Sequence, residues 1–137
     1  MSFSYAFAPL VAWLVASALK SAINSIRTRR WQFTLIGYGG IPSTHTTIVS
    51  TTVTLIGFRE GLNSPAYAVA LTVGILVIMD ALRLRRWIGR QGEAINKLSA
   101  GRTDIPRMQE TVGHRPSEVV AGMLLGIACG YLLSLCG

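Results

Sequence analysis

Charged residues are scarce in this chain, and acidic ones are scarcer still. Only 14% of its 137 residues are charged, and 13 Lys and Arg stand against 6 Asp and Glu. Because soluble domains carry about 25% charged residues, this deficit disfavours a water-soluble globule, and the 50% apolar content excludes a disordered chain. The net charge of +7 is typical of proteins that bind nucleic acid, anionic lipid or a phosphate-bearing substrate.

Cysteine is also rare. Cys129 and Cys136 lie seven residues apart in the last apolar stretch, which on one helix separates them by about 10 Å along the axis. That separation is too long for a disulfide. We expect two reduced thiols that pack without a metal or redox role.

Four apolar stretches, each of 17 or 18 residues, reach the lower length limit for crossing a bilayer. They cover approximately 3–19, 41–58, 65–82 and 119–136. The second is rich in threonine, whose hydroxyl can return to the helix backbone. The pattern predicts a single all-α domain over residues 1–137, with about four transmembrane helices and an amphipathic helix over about 86–99 on the membrane surface.

The basic residues divide the connections into two classes. Arg59 lies in the short turn between the second and third stretches, and every other Lys and Arg lies on the opposite side. The positive-inside rule therefore predicts an integral membrane protein with the two long connections in the cytoplasm.

Polar and titratable residues converge on the basic side of the predicted bundle. The second and fourth helices begin there, so their N-terminal dipoles point toward that face. Histidines can supply both a nucleophile and a general acid, and basic side chains suit a phosphate ester. The converging residues are Lys20, Arg27, Ser43, Thr44, His45, Asp80, Arg85, Arg86, His114 and Glu118.

His114 and Glu118 are four residues apart and therefore share one face of a helix. A carboxylate there can accept a hydrogen bond from one imidazole nitrogen and leave the other as a nucleophile, while His45 protonates the departing oxygen. The competing interpretation is that His114 and Glu118 form a buried structural pair and that His45 is a solvated residue at a helix start.

Two short motifs resemble those of the type 2 phosphatidic acid phosphatase superfamily. Residues 41–46, Ile-Pro-Ser-Thr-His-Thr, resemble its P-S-x-H signature, and residues 113–122 resemble its third motif. Lys20 and Arg27 are similar to its first motif. The Gly-Gly-x-Pro-Ser-x-His opening and the block from Asp80 to Asn96 match the divergent branch of small bacterial and plant membrane proteins.

This resemblance implies a role for each motif residue. His114 would form a phosphohistidine, Glu118 would orient it, and His45 would be the leaving-group acid. Phosphate would be bound by Lys20, Arg27, Ser43 and Thr44. No metal and no cofactor would be required, and the site would face the cytoplasm from a bacterial inner membrane.

Three positions depart from the superfamily pattern. Glu118 replaces an aspartate, Thr28 replaces a proline, and Met108 stands where an arginine precedes the third-motif histidine. We expect Arg85 or Arg86 to supply the missing guanidinium, with Asp80 positioning it.

The leading prediction is a phosphatase that acts on a lipid-linked phosphate or pyrophosphate, with membrane lipids as its other partners. The alternatives are a non-catalytic protein that binds or translocates a lipid phosphate, and a phosphoryl or headgroup transferase. We expect no nucleic-acid partner, because most basic residues lie beside membrane spans. Gly122, Gly126 and Gly130 form a ridge for close helix packing, either within the chain or in a homo-oligomer.

Overall fold

Helices account for nearly all of the secondary structure in the computed structural model, which describes residues 5–29, 40–110 and 112–136. These residues contain no strand, so the all-α prediction is confirmed. A single 3₁₀ turn at Tyr5–Phe7 leads into the first helix. The helices are α1 (Ala8–Thr28), α2 (Thr44–Glu60), α3 (Pro65–Met79), α4 (Arg85–Leu98) and α5 (Pro116–Leu135).

Within the described residues, three helical runs are long and apolar enough to cross a membrane. They are Tyr5–Thr28, Pro65–Leu98 and Pro116–Leu135. The second predicted stretch forms α2, which is not among them because it has only 17 residues and many threonines. Instead α2 packs against α1, α3 and α5 as the inner helix of the bundle.

Contact between α2 and α5 depends on the glycine ridge. A Cβ atom at Gly122 would lie 2.5 Å from the Ser43 carbonyl oxygen, and one at Gly126 would lie 2.6 Å from the Thr47 oxygen. At Gly130 the Thr51 oxygen would be 2.6 Å away. The ridge therefore packs within the chain. A homo-oligomer stays a prediction, and it would need another surface.

The threonines of α2 are compatible with this buried position because they satisfy their own hydroxyl groups. Thr47 Oγ1 donates to the Ser43 carbonyl oxygen at 3.0 Å, and Thr51 Oγ1 donates to the Thr47 oxygen at 2.8 Å. Both side chains are fully buried. Since a buried hydroxyl without a partner costs free energy, these bonds allow a polar helix to form the core.

Two helices extend beyond the ends that the sequence predicts. The first was expected to end near Leu19, but α1 continues to Thr28 and encloses Lys20. The third was expected to end near Leu82, ahead of a separate surface helix. It instead continues through a π-helical turn at Asp80–Leu84 into α4, so that Pro65–Leu98 is one helical run of 34 residues.

The length of this run determines where α4 lies. A helix of 34 residues is about 51 Å long, whereas the hydrocarbon core of a bilayer is about 30 Å thick. The apolar part, α3, ends at Met79, and the charged residues begin at Asp80. We therefore interpret α4 as the part of the run that stands beyond the apolar layer.

Arg59 joins three helices at the opposite end of the bundle. Its Nη2 atom donates to the Leu133 carbonyl oxygen near the end of α5 at 3.0 Å, and its guanidinium lies 5.5 Å from the Tyr5 ring centroid. The Tyr5 hydroxyl donates to Glu60. Arg59 was predicted to lie in the short turn but is in the last turn of α2, where it contributes a cation to the C-terminal end of α5, a position that the helix dipole favours.

Replacing a ridge glycine should loosen the α2–α5 contact. Gly126→Ala places a methyl group 2.6 Å from the Thr47 oxygen, and such overpacking costs about 1–3 kcal/mol. We expect a lower midpoint of thermal unfolding in detergent. The control is Ala128→Val, which adds two methyl groups on the exposed side of the same helix. It should leave the midpoint of thermal unfolding unchanged. Equal midpoints for both variants would contradict the proposed packing role.

Candidate active site

The two histidines meet where α2 and α5 begin. Their ring centroids are 6.5 Å apart. The Ser43 backbone N–H, immediately before α2, donates to the Glu118 carbonyl oxygen in the first turn of α5 at 3.0 Å. This bond holds the N-termini of the two helices side by side, so both positive dipole ends face the same point.

His114 is oriented by Glu118. The Nδ1 atom of His114 lies 3.1 Å from Glu118 Oε2, and the two side chains are only 8% and 12% exposed. The same carboxylate oxygen accepts the Arg115 backbone N–H at 3.2 Å. When Nδ1 carries the proton, the Nε2 atom of His114 has a free lone pair, which is the form that a nucleophile requires.

The π-helical turn holds the backbone of His114. At the end of that turn the Arg85 backbone N–H donates to the Asp80 carbonyl oxygen, five residues earlier. The next carbonyl oxygen, that of Ala81, accepts the His114 backbone N–H at 3.3 Å. Gly113 precedes with a φ of +110°, a conformation that favours glycine. Local π-helical turns occur frequently at functional sites, and here the turn connects the α3–α4 run to His114.

Two cations reach the histidine pair. Lys20 is buried and interacts electrostatically with both Glu118 and His45. Arg85 Nε lies 2.8 Å from Asp80 Oδ2, and the charges of both residues also act on His45. The structure thus brings together six of the predicted residues, a set that we call the histidine site. They are Lys20, His45, Asp80, Arg85, His114 and Glu118.

The remaining predicted residues lie differently. Arg27 is exposed in the last turn of α1 and makes no hydrogen bond or ion pair with the described residues. Ser43 is fully buried: its N–H is used by Glu118, and its hydroxyl oxygen accepts from Thr46 Oγ1 at 3.0 Å. The Ser43 N–H is therefore not available to a phosphoryl oxygen. Thr44 is half-buried at the first position of α2.

Arg86 and Arg85 have different neighbours. The Arg86 side chain lines a groove between α4 and residues 109–110 and 112–115, and its Cγ would be 3.1 Å from a Cβ at Gly113. Asp80 pairs with Arg85, not with Arg86, in the hydrogen bonds of the described residues. Of the two candidates for the missing guanidinium, Arg85 is therefore the one beside Asp80 and His45. Gly39 and Trp31 lie outside the described residues.

The segment before His114 is clamped by the side chain of Asn96. Its Nδ2 atom donates to the Met108 carbonyl oxygen and to Glu110 Oε1, and its Oδ1 atom accepts the Met108 N–H, all at 2.8 Å. Gly89 and Gly92 permit the close approach, since a Cβ there would lie 2.4 and 2.7 Å from backbone oxygens of the segment.

This packing surface was not predicted, although the spacing of three residues on α4 indicates it. Gly89, Gly92 and Asn96 lie at positions i, i+3 and i+7, which form one face of a helix. Met108 stands where the superfamily has an arginine, and the contact that it makes here is the pair of backbone hydrogen bonds to Asn96. Arg107 does not replace that arginine, because its side chain is 86% exposed and only approaches Glu110, at 4.0 Å.

Comparison with known proteins identifies the family. The model described as "Divergent PAP2 family" matches residues 3–129. This chain belongs to that family. The family name relates the divergent PAP2 proteins to phosphatases of the PAP2 type, and residues 3–129 include both histidine motifs.

A curated relative supports a membrane location for this divergent PAP2 protein. The chain is 30% identical to "Uncharacterized membrane protein YuiD" of Bacillus subtilis (strain 168), over 91% of this chain and 90% of the relative. Together with the three apolar helical runs, this match indicates an integral membrane protein. No solved structure gave a significant match.

Asn96→Ala should release the segment before His114. The substitution removes three hydrogen bonds, each with a net value of about 1 kcal/mol, so residues 107–113 should exchange their amide hydrogens faster. Hydrogen–deuterium exchange with mass spectrometry in detergent measures this. Gln91→Ala, on the exposed side of the same helix, is the control. Unchanged exchange in Asn96→Ala would show that the side chain does not hold the segment.

Proposed function

We propose that the protein is a metal-independent phosphatase that hydrolyses a lipid-linked phosphate or pyrophosphate through a phosphohistidine. The observation that carries the proposal is the buried His114, whose Nδ1 is held by Glu118 at 3.1 Å and whose ring lies 6.5 Å from that of His45. A nucleophile, its orienting carboxylate and a second imidazole are the three parts that this reaction needs.

The first step is attack by His114 Nε2 on the phosphorus. The N–P bond forms as the bond from phosphorus to the leaving oxygen breaks, and protonated His45 donates its proton to that oxygen. The His114 ring, which keeps its Nδ1 proton, becomes positively charged in this step. Glu118 stabilises this charge through the same hydrogen bond that orients the ring.

The second step hydrolyses the phosphohistidine. His45, now neutral, accepts a proton from water as the water oxygen attacks phosphorus, and the N–P bond breaks to release inorganic phosphate and His114. Both steps develop negative charge on the phosphoryl oxygens. Lys20, Arg85 and the N-termini of α2 and α5 provide fixed positive charge there, in the way that preorganised donors stabilise a transition state.

A lipid substrate is favoured by the position of an apolar groove. The groove has a volume of about 640 Å³ and lies between α2 and α3, where Ile48, Ile56, Val69 and Val73 line it. Ile48 is one helical turn after Thr44, so the groove begins beside the histidine site and runs into the apolar layer. An acyl or prenyl tail in this groove would leave its phosphate beside His45.

The charge distribution favours the cytoplasmic face of a bacterial inner membrane for this site, since the basic connections all lie on its side. A second candidate function uses the same pocket without turnover, to bind or translocate a lipid phosphate. The observation that favours it is Met108, which stands in place of an arginine that the superfamily uses. A third option passes the phosphoryl group or headgroup to an acceptor other than water.

Phosphate release in excess EDTA tests the phosphatase proposal. We expect the protein in detergent to release phosphate from at least one member of a panel of lipid phosphates and pyrophosphates. His114→Ala should lower the rate by at least about 10³-fold, because it removes the nucleophile. Gln91→Ala is the control for purification and assay and should keep the wild-type rate. Thermal unfolding of each variant shows whether it is folded.

The outcomes separate the three functions. Release that requires a divalent cation, or that persists in folded His114→Ala, would contradict the phosphohistidine mechanism. No release by the wild type, together with His114-independent binding of the lipid, would favour the binding or translocating protein. Formation of a new phosphate ester on an added alcohol acceptor, in place of inorganic phosphate, would favour the transferase.

Ala70→Phe tests the tail groove. The added ring fills the space between α2 and α3, so we expect kcat/KM for a long-chain lipid phosphate to fall by about tenfold or more. A soluble ester with a short chain does not need the groove, and its kcat/KM should change by less than twofold. Ala128→Val on α5 is the matched control. Equal losses for the long and short substrates would place the tail elsewhere.

A further inference from the structure

His114 also opens onto a second space, which the reaction above does not use. This is a polar groove of about 420 Å³ between one face of α4 and residues 109–110 and 112–115, and we call it the arginine groove. Arg86, Arg90 and Glu93 line it from α4, and its extent from Arg86 to Glu93 is about 10 Å along that helix. His114, Arg115 and Glu118 line its other side.

The carboxylates of the arginine groove already have partners. Glu93 Oε1 accepts from Lys97 Nζ at 2.7 Å, although its charge also acts on Arg90. Glu110 Oε1 accepts from Asn96 and lies 4.0 Å from Arg107. Glu118 is bound to His114 and to the Arg115 N–H.

The three arginines of the groove lack such partners. Arg86, Arg90 and Arg115 form no ion pair within 4.0 Å in the part of the chain that the structure describes. All three are exposed, and two of them contact a neighbour: the stem of Arg86 lies against Gly113, and the guanidinium of Arg90 lies 5.2 Å from the Trp87 ring centroid. A guanidinium stacked on a ring keeps its N–H edges available for an oxyanion.

The arginine groove lies on the water-facing side of His114. The apolar part of the α3–α4 run ends at Met79, and the Ala81 oxygen binds the His114 N–H, which puts His114 at the edge of the apolar layer. Residues 86–93 come later along the same run and therefore lie farther from that layer. The proposed groove for the lipid tail lies instead between α2 and α3, so the arginine groove suits a water-soluble group.

We propose that the arginine groove is a second anion subsite, in which Arg86, Arg90 and Arg115 bind a phosphate group on the water-facing side of His114. Guanidinium groups bind phosphate in a bidentate geometry, and three of them here face one space beside the phosphoryl-accepting ring. The phosphate belongs either to the headgroup of the lipid substrate or to a free phosphate ion. This proposal rests on the proposed function, because it assigns a second phosphate-binding position next to the reacting phosphorus. It can be tested by binding measurements, without turnover.

Titration calorimetry with inorganic phosphate is the first arm of the test. The groove variant is Arg90→Gln/Arg115→Gln, and the control is Arg83→Gln/Arg102→Gln, which removes the same charge from exposed positions outside the groove. We expect two phosphate ions to bind per wild-type or control chain and one to bind per groove-variant chain. His114→Ala should keep the arginine-dependent ion, because that ion does not depend on the nucleophile.

The second arm identifies the source of the phosphate. Short-chain phosphatidic acid and short-chain phosphatidylinositol 4-phosphate are titrated into His114→Ala, which prevents turnover. A headgroup in the groove predicts at least tenfold tighter binding of the lipid with two phosphates, and loss of that preference when the groove substitutions are added. A free ion predicts equal binding of the two lipids, with inorganic phosphate still bound beside phosphatidic acid.

The proposal is overturned if the groove variant and the control variant bind inorganic phosphate with the same stoichiometry and affinity and show the same lipid preference. That result leaves the phosphatase proposal intact if phosphate release continues. Conversely, arginine-dependent binding without hydrolysis of any lipid would overturn the phosphatase proposal and support the subsite. Circular dichroism of the groove variant confirms that both comparisons use folded protein.

Discussion

The close contact between α2 and α5 determines the geometry of the histidine site. Each histidine motif opens one of these helices, so the distance between the helices sets the distance between the rings. Glycines on α5 bring its backbone against α2, and threonines on α2 return their hydroxyls to their own helix. The Ser43–Glu118 backbone bond, which joins the two motifs, can form only at this separation.

A polar inner helix is a consequence of the same arrangement. In a bilayer the hydrophobic effect does not drive helices together, so association depends on close packing and on hydrogen bonds. Leu55 is the one large apolar side chain among the most deeply buried residues of the described ranges, while Thr46, Thr47 and Thr51 are equally buried. The large apolar side chains of α3 and α5 are turned outward, toward the lipid.

Local patterns were sufficient to predict the all-α fold and the pairing of His114 with Glu118. Of the four predicted membrane spans, three are long and apolar enough among the described residues, and the fourth is the threonine-rich α2. The helix ends were less predictable, because the onset of charge at Lys20 and at Asp80 was interpreted as the end of a helix. At Lys20 the charge belongs to a buried residue within α1, and at Asp80 it marks the end of the apolar part of the helical run. The helical backbone continues past both positions. Neither position is followed closely by the proline or glycine that usually ends one.

The arginine groove was beyond prediction from local sequence, because it forms only when residues 107–113 fold back along α4. Arg85 and Arg86 were predicted as candidates for phosphate binding, although arginines beside a membrane span commonly serve as topology signals. Gly89, Gly92 and Asn96 carry the signal for the returning segment, but their spacing shows a face without showing what covers it. That partner is distant in sequence, and its position is a property of the tertiary fold.

The π-helical turn at Asp80–Leu84 sets the rotation of α4 about the helix axis relative to α3. Each residue of an α-helix turns the chain by about 100°, and the turn adds one residue to the interval between α3 and α4. The faces of α4 are therefore offset from those of α3. A homologue that lost Leu82 would keep every residue of the histidine site and an unbroken helix, yet Arg86, Gly89 and Asn96 would face about 100° away from His114. The length of this interval is as much a part of the site as the identities of its residues.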